Sequence, residues 1–330
     1  MGRMANILFL EVDTEDQKVV RERFPDARIM EGTLAGQALV DACANMEAIS
    51  CFINSRFPGD VLRKLPKLKL LCTRSVGVDH MDLGTCAERG VTVCNVPDYG
   101  SHVIAEHVFA LLLSTLRHVH EAETRVESGV FDYHGLRGIA LRGKTIGIVG
   151  TGKIGRRVAE IARGFGMEIL AVDQCRTLDI VETLKVKYVP LGELLRRSDV
   201  ITLHVPDTPE TEHMIDAAAF AVMKQNAILV NTARGALIDS HALLDALNAG
   251  TLAYALLDVL EHERNFEENK KLITHPRVVA TPHIAFYADD SMRNMYADTF
   301  RSIEQWMRGE VPEHAVRPLN VVCDLPPIRR

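Results

Sequence analysis

His283 follows Pro282 at the end of an apolar run and precedes Ile284-Ala285, so a short rigid connection, not a solvated helix face, carries its imidazole. Glu263 stands just past another apolar run. An imidazole beside a carboxylate keeps one orientation and can pass one proton to or from an alcohol oxygen. Arg234 lies in Asn231-Thr-Ala-Arg-Gly235, where the glycine permits a tight turn and the guanidinium can hold a carboxylate by two parallel hydrogen bonds. Taken singly, the histidine reads as well as a structural residue and the arginine as half of a surface ion pair. The three together suit the reduction of a 2-keto acid, provided that a hydride carrier binds nearby.

Gly150-Thr-Gly152-Lys-Ile-Gly155 supplies the place for such a carrier. It follows the apolar run Thr145 to Val149 and opens a stretch with Ile154, Val158, Ile161, Ala162 and Phe165 at helical spacing. In that context Gly150 makes the tight turn, Gly152 lets the backbone approach a pyrophosphate, and Gly155 lets the helix pack on the strand. The helix start adds amide donors and positive potential for the anion. Asp173 ends the next apolar run, where a carboxylate accepts from the adenosine ribose hydroxyls and repels a 2′-phosphate, so NAD is expected over NADP. Arg176 close by is the residue that would favour a phosphate.

These groups need elements to carry them. Apolar runs at Ile7 to Leu10, Ala48 to Ile53, Leu68 to Cys72 and Val91 to Val96 alternate with polar helical stretches, which predicts βα units. Ser101 to Leu116 is too long for a strand and apolar on every face, hence a helix expected to lie buried between two bodies. The strand-helix pattern restarts at Thr145, with strands at Glu168 to Val172, Val200 to Val205, Ala227 to Asn231, Ala253 to Val259 and Val278 to Ala280. Asp239 to Ala249 and Ser291 to Arg308 read as helices, and Val311 to Arg330 as an extended tail. Asp173, His204-Val-Pro206, Thr232 to Gly235, Asp258 to Glu263 and Thr281 to His283 all follow strands. In a parallel doubly wound sheet those carboxyl ends share the edge where ligands bind.

Bulk properties narrow the class. A chain of 330 residues exceeds one ordinary core, so two domains are expected. Hydrophobic residues at 47% and charged residues at 25% suit a globular protein, and no apolar run reaches membrane-spanning length. The N-terminal stretch Ile7 to Val12 is interrupted by Glu11 and followed by Asp13, which is wrong for a signal peptide. Seven scattered cysteines show no framework spacing, which fits a reducing cytoplasm. A net charge of -6 leaves no footprint for nucleic acid, so small molecules are the expected partners. No metal is expected, since His118 and His120 lie two apart on a helical stretch and cannot share a face.

The ordered pieces Arg74-Ser-Val-Gly77-Val-Asp79, Asn95-Val-Pro97, Ala105-Glu-His107, Gly150 to Gly155, His204-Val-Pro206, Asn231 to Gly235, Leu257-Asp-Val259 with Glu263, and Thr281-Pro-His-Ile-Ala285 resemble the D-isomer-specific 2-hydroxyacid dehydrogenases. The resemblance runs through nearly the whole chain. It implies an α/β fold of two doubly wound domains, a Rossmann-type NAD-binding domain (101–286) and a flavodoxin-like substrate-binding domain (1–100 with 287–330). It also implies an active-site cleft between them and a homodimer. By position, Arg234 would bind substrate, Glu263 would orient His283, and His283 would be the acid/base. The backbone of Val76 and Gly77 would grip the substrate carboxylate. Lys153 and Ile154 would lie at the pyrophosphate, Val205, Pro206 and Thr211 near the adenosine half, and Thr232, Ala233 and Asp258 at the nicotinamide end. Three segments, Arg74 to Asp79, Asn95 to Tyr99 and His283 to Tyr287, look most like the D-lactate dehydrogenases within that family, with Tyr99 and Phe286 bordering a pocket for a short side chain. Glyoxylate or hydroxypyruvate reduction and phosphoglycerate oxidation are the alternatives inside the family. An NAD-sensing corepressor is the alternative of another class.

Overall fold

The computed structural model describes residues 5–176, 178–263 and 265–316; the expected extended tail beyond 316 lies outside the described residues. Its strands are β1 (Ile7–Phe9), β2 (Arg28–Ile29), β3 (Ala48–Cys51), β4 (Leu70–Thr73), β5 (Thr92–Cys94), β6 (Thr145–Val149), β7 (Glu168–Val172), β8 (Lys187–Tyr188), β9 (Val200–Leu203), β10 (Ala227–Asn231), β11 (Leu252–Leu257) and β12 (Val278–Ala280). Contacts divide the described chain into two units, 5–100 with 288–316, and 101–287.

The first unit holds a five-stranded sheet in the order β2-β1-β3-β4-β5, all parallel. That is the flavodoxin-like order. Every residue of β1, β3 and β4 is buried, as parallel strands covered on both faces require. Helix Asp289–Met307 belongs to this unit and seats Phe300 against Phe9 and Phe24, with ring centroids 6.0 and 5.4 Å apart. Aromatic pairs of this geometry add about 1 kcal/mol each beyond area burial.

The second unit holds a seven-stranded parallel sheet in the order β12-β11-β10-β9-β6-β7-β8. Counted from β6, it is the Rossmann order extended by one strand, with the switch point between β6 and β9. Alternate residues face opposite cores: Leu170 and Val172 join Leu203, Leu229 and Leu257, whereas Ile169 and Ala171 join Ile146, Ile148 and Val230. Helix Ser101–Leu116 packs in the second of these cores beside Val158, Ala159 and Ala162 of helix Lys153–Gly164. Glu106, Ala110 and Ser114 are exposed, so this core buries one face of the helix and does not by itself account for the apolar residues on the others.

Strands β2 and β8 were not legible in the sequence. Each has two residues, sits at a sheet edge, and opens on an exposed Arg28 or Lys187, so no alternation exists to read. Among the described residues no helix is long and apolar enough to cross a membrane. Cys43, Cys51, Cys72, Cys86 and Cys94 are free and buried.

Candidate active site

Parallel pairing of β11 with β12 sets Leu257 opposite Ala280, so Asp258 and Thr281 leave the sheet side by side. Asp258 is 1% exposed, and the turn that follows β12 winds around its carboxylate. Oδ1 accepts from the Thr281 hydroxyl at 2.5 Å and the Ile284 amide at 2.9 Å, and Oδ2 from the Ala285 amide at 2.8 Å. The His283 amide donates to the Asp258 carbonyl at 2.9 Å. This winding holds His283 at φ 56°, a left-handed conformation that a non-glycine residue keeps only where its surroundings impose it.

The imidazole so presented places Nδ1 at 3.0 and 3.1 Å from the two oxygens of Glu263. Because the carboxylate only accepts, the hydrogen-bond network assigns the proton to Nδ1 and leaves Nε2 to exchange one. The two side chains are 24% and 38% exposed, enough to be reached by a ligand.

The turn after β10 is built by Asn231, whose side chain donates to the Arg234 carbonyl at 2.8 Å and accepts from the Ala233 amide at 3.0 Å. Arg234 is half-buried, and its Nη1 donates to the Ala233 carbonyl at 2.8 Å. Thr232 is buried, and its hydroxyl has no hydrogen-bond partner among the described residues.

The glycine loop shows why Gly150 and Gly155 are needed. Gly150 has φ 95°, and a Cβ there would stand 2.5 Å from the His204 carbonyl oxygen. A Cβ on Gly155 would stand 1.9 Å from the Gly150 oxygen, whereas one on Gly152 would meet nothing within 4 Å. Gly152 is the N-cap of helix Lys153–Gly164 and offers no side chain to its amides. Asp173 accepts from the Thr151 amide at 2.5 Å, the Thr151 hydroxyl at 3.0 Å and the Cys175 amide at 2.9 Å, tying the loop to the end of β7. Arg176 lies over the Tyr188 ring, 5.7 Å from its centroid.

The model of the "D-isomer specific 2-hydroxyacid dehydrogenase, NAD binding domain" matches residues 109–285, more than half the chain. The chain belongs to the D-isomer-specific 2-hydroxyacid dehydrogenase family. Among relatives it is 34% identical to a D-3-phosphoglycerate dehydrogenase of Methanocaldococcus jannaschii over 96% of this chain; it spans 60% of that longer protein. It is 36% identical to a glyoxylate reductase of Thermococcus litoralis, covering 88% of each. Among solved structures it is similar to a D-lactate dehydrogenase from Aquifex aeolicus complexed with NAD and lactic acid, with a TM-score of 0.85, 34% identity, and 92% and 96% of the two chains covered.

The residues of this family member fit NAD. The open space over Gly152, the uncapped amides of the helix behind it and the partnerless buried hydroxyl of Thr232 are places where a dinucleotide supplies what the protein lacks. Lys153 is exposed at the helix start, and Ile154 packs partly on the core. Val205 and Ala233 pack on the opposite core, and Pro206 is exposed. Burial holds the His204 imidazole down at about 3, so it is neutral, 2.9 Å from the Thr202 hydroxyl.

Two of the residues assigned by resemblance have their polar groups engaged within the protein. Thr211, placed by resemblance near the adenosine half, is buried and donates to the Pro206 carbonyl at 2.7 Å while accepting from the Thr208 amide at 2.9 Å. Its hydroxyl closes its own loop. Asp258, placed at the nicotinamide end, spends its carboxylate chiefly on the turn that carries His283. His107, which no spacing in the sequence ties to this turn, stands 3.2 Å from the Thr281 hydroxyl and 3.6 Å from Asp258 Oδ1. Phe286 meets the His283 ring edge-on, with centroids 6.3 Å apart.

Val76, Gly77 and Tyr99 belong to the first unit. The Asn95 side chain donates to the Val76 carbonyl at 2.8 Å and the Ser75 hydroxyl to the Gly77 carbonyl at 2.7 Å, which shapes that loop; Val76 is exposed and Tyr99 buried. Arg74 anchors the start of the loop. It is 1% exposed and donates to the Leu10 and Glu11 carbonyls, both at 2.7 Å, and to the Ser50 hydroxyl at 2.9 Å.

Proposed function

We propose that the protein reduces a small, pyruvate-like 2-keto acid to the D-2-hydroxy acid with NADH, and runs the reverse oxidation with NAD. The observation that carries this reading is the His283 imidazole, bonded through Nδ1 to Glu263, on the sheet edge that also bears the glycine loop and Arg234. NADH, when bound, supplies the hydride that reaches the keto carbon. His283 gives its Nε2 proton to the carbonyl oxygen as that carbon is reduced, and Glu263 stabilises the orientation of the ring throughout. Arg234 pairs with the substrate carboxylate and polarises the carbonyl. By the family resemblance, the backbone of Val76 and Gly77 is assigned to a substrate carboxylate, and Tyr99 and Phe286 are each assigned to substrate contact. Asp173 is assigned to the adenosine ribose and Gly150, Gly152, Lys153, Ile154 and Gly155 to the pyrophosphate, with Val205 and Pro206 towards the adenosine and Thr232 and Ala233 towards the nicotinamide.

The test is a panel of pyruvate, hydroxypyruvate, glyoxylate and phenylpyruvate with NADH and NADPH. Turnover of the small acids with NADH, falling by about 10²–10⁴ in His283→Ala while NADH still binds, is expected. Turnover of phenylpyruvate alone would refute the lactate-like substrate. Glyoxylate as the preferred acid is the second reading, favoured by the identity to the Thermococcus litoralis enzyme. NADH binding with no turnover would favour a sensor.

The proposal includes a homodimer in a cytoplasmic setting. Val119, Val126, Phe131, Tyr133 and Ile139 are all exposed, Phe131 at 95%, and a second copy of the chain is the occupant assigned to them. Sedimentation equilibrium should give twice the chain mass, and Phe131→Glu with Tyr133→Glu should give a monomer.

A further inference from the structure

The loops after β9, β10 and β11 leave the same edge of the second sheet, and the latter two carry Arg234 and Glu263. A second histidine and carboxylate, outside the acid–base pair, join all three loops. His213 Nε2 stands 2.6 Å from Glu261 Oε1, and the His213 amide donates to the Ala236 carbonyl at 2.8 Å. His213 takes φ 48°, again left-handed in a residue with a side chain. The other Glu261 oxygen accepts from the Ser240 amide at 3.3 Å. Gly235 lets the backbones touch: a Cβ there would stand 2.0 Å from the Leu260 carbonyl carbon and 2.3 Å from the Glu261 nitrogen. Burial works against the Glu261 charge, yet the Ser240 and His213 hydrogen bonds hold its carboxyl below the ordinary carboxylate value.

The first two loops do not need this pair to stay together. Ile215 and Ile238 already bridge them, with bonds from the Ile215 amide to Leu237 at 3.0 Å and from the Asp239 amide to Ile215 at 3.1 Å. What the His213 bond adds is a tie from the first loop to the turn of the third that bears both Glu261 and Glu263.

We propose that His213 and Glu261 are positioning residues, whose bond sets the Glu263 loop against the Arg234 turn and thereby the orientation in which Glu263 holds His283. The inference rests on the acid–base role assigned to His283. A displacement of about 1 Å at a reacting group costs up to about 10²-fold in rate, so a loosened loop shows in kcat before it shows in cofactor affinity.

The test uses His213→Leu, which removes the bond, and His213→Gln, which keeps a donor at the same reach, each alone and combined with Glu263→Gln. His213→Leu should lower kcat about ten-fold with KM for NADH changed less than about two-fold. His213→Gln should stay within about three-fold of the unsubstituted protein, and in the Glu263→Gln background His213→Leu should add less than about two-fold. An equal loss in both backgrounds, no loss at all, or an equal loss from the Gln and Leu variants would overturn the proposal. The His283 imidazole signals in ¹H–¹⁵N spectra, recorded without substrate, should move in His213→Leu and return in His213→Gln. If the unsubstituted protein turns over no 2-keto acid, the oxidoreductase reading fails, and these spectra alone decide the positioning role: unmoved signals reject it. If His213→Leu does not fold, Glu261→Gln takes its place with the same expectations.

Discussion

Gly152 and Gly155 stand three residues apart in one loop, and an added methyl group should act on them through different physics. At Gly155 the Cβ would lie 1.9 Å from the Gly150 oxygen and 3.3 Å from Ile148 Cγ2, both parts of the packed strand-to-helix turn. The helix start must move by more than about 1 Å to relieve that contact, and overpacking of this kind costs about 1–3 kcal/mol. For a unit of this size each kcal/mol lowers Tm by about 2–4 °C, so Gly155→Ala should melt several degrees lower without ligand. At Gly152 the backbone has φ -62° and ψ -165°, which any residue adopts, and the methyl meets nothing within 4 Å. Gly152→Ala should therefore change the ligand-free stability by no more than about 0.5 kcal/mol. Its methyl occupies the approach to the helix amides, so NADH affinity should still fall about ten-fold or more. Thermal melts without ligand and calorimetric titration with NADH separate the two effects. An unchanged NADH affinity in Gly152→Ala, or equal thermal losses in both variants, would refute the placement of the pyrophosphate over the open face of this loop.

Asp173→Ala removes the acceptor at the end of β7 and its repulsion of a 2′-phosphate, so the ratio of kcat/KM for NADPH over NADH should rise about ten-fold or more; an unchanged ratio in steady-state assays refutes the role. Asp258→Asn turns one acceptor oxygen into a donor that faces backbone amides, which should cost about 3 kcal/mol in urea unfolding and lower kcat as the His283 turn loosens. A loss below about 0.5 kcal/mol would mean that the carboxylate does not hold the turn. His204 has its imidazole held at about 3 against an ordinary 6.5, so the unfolded chain takes up a proton that the folded chain refuses. Its contribution is fully present above about pH 6.5 and is lost as pH falls towards 3. In a pH series of unfolding free energies, His204→Gln should flatten the slope in that window by close to one proton, and an unchanged slope would refute the buried neutral state.

Much of the fold was legible because parallel strands buried on both faces read as unbroken apolar runs. Thr145 to Val149, Glu168 to Val172 and Ala227 to Asn231 match their strands residue for residue. Asp239 was readable as a helix start because its side chain caps the His241 and Ala242 amides, a local bond between near neighbours. The expected end of the strand from Ala48 ran two residues past Cys51, since apolar content alone does not say where pairing stops. The pair of Glu263 with His283 was readable only as two strand-end residues on one sheet.

The sequence by itself determined the element types, the glycine loop with its acid at the next strand end, and the side chains available at the carboxyl edge. Those are properties of spacing within about two dozen residues. The tertiary structure decided that Asp258 is the post around which Thr281 to Ala285 wind, that His107 joins that post, and that His213 and Glu261 tie three loops together. Such bonds span up to 174 residues and exist only because parallel register sets Leu257 beside Ala280 and Asn231 beside Leu257. Register is a property of pairs of strands, and no periodicity within one strand carries it.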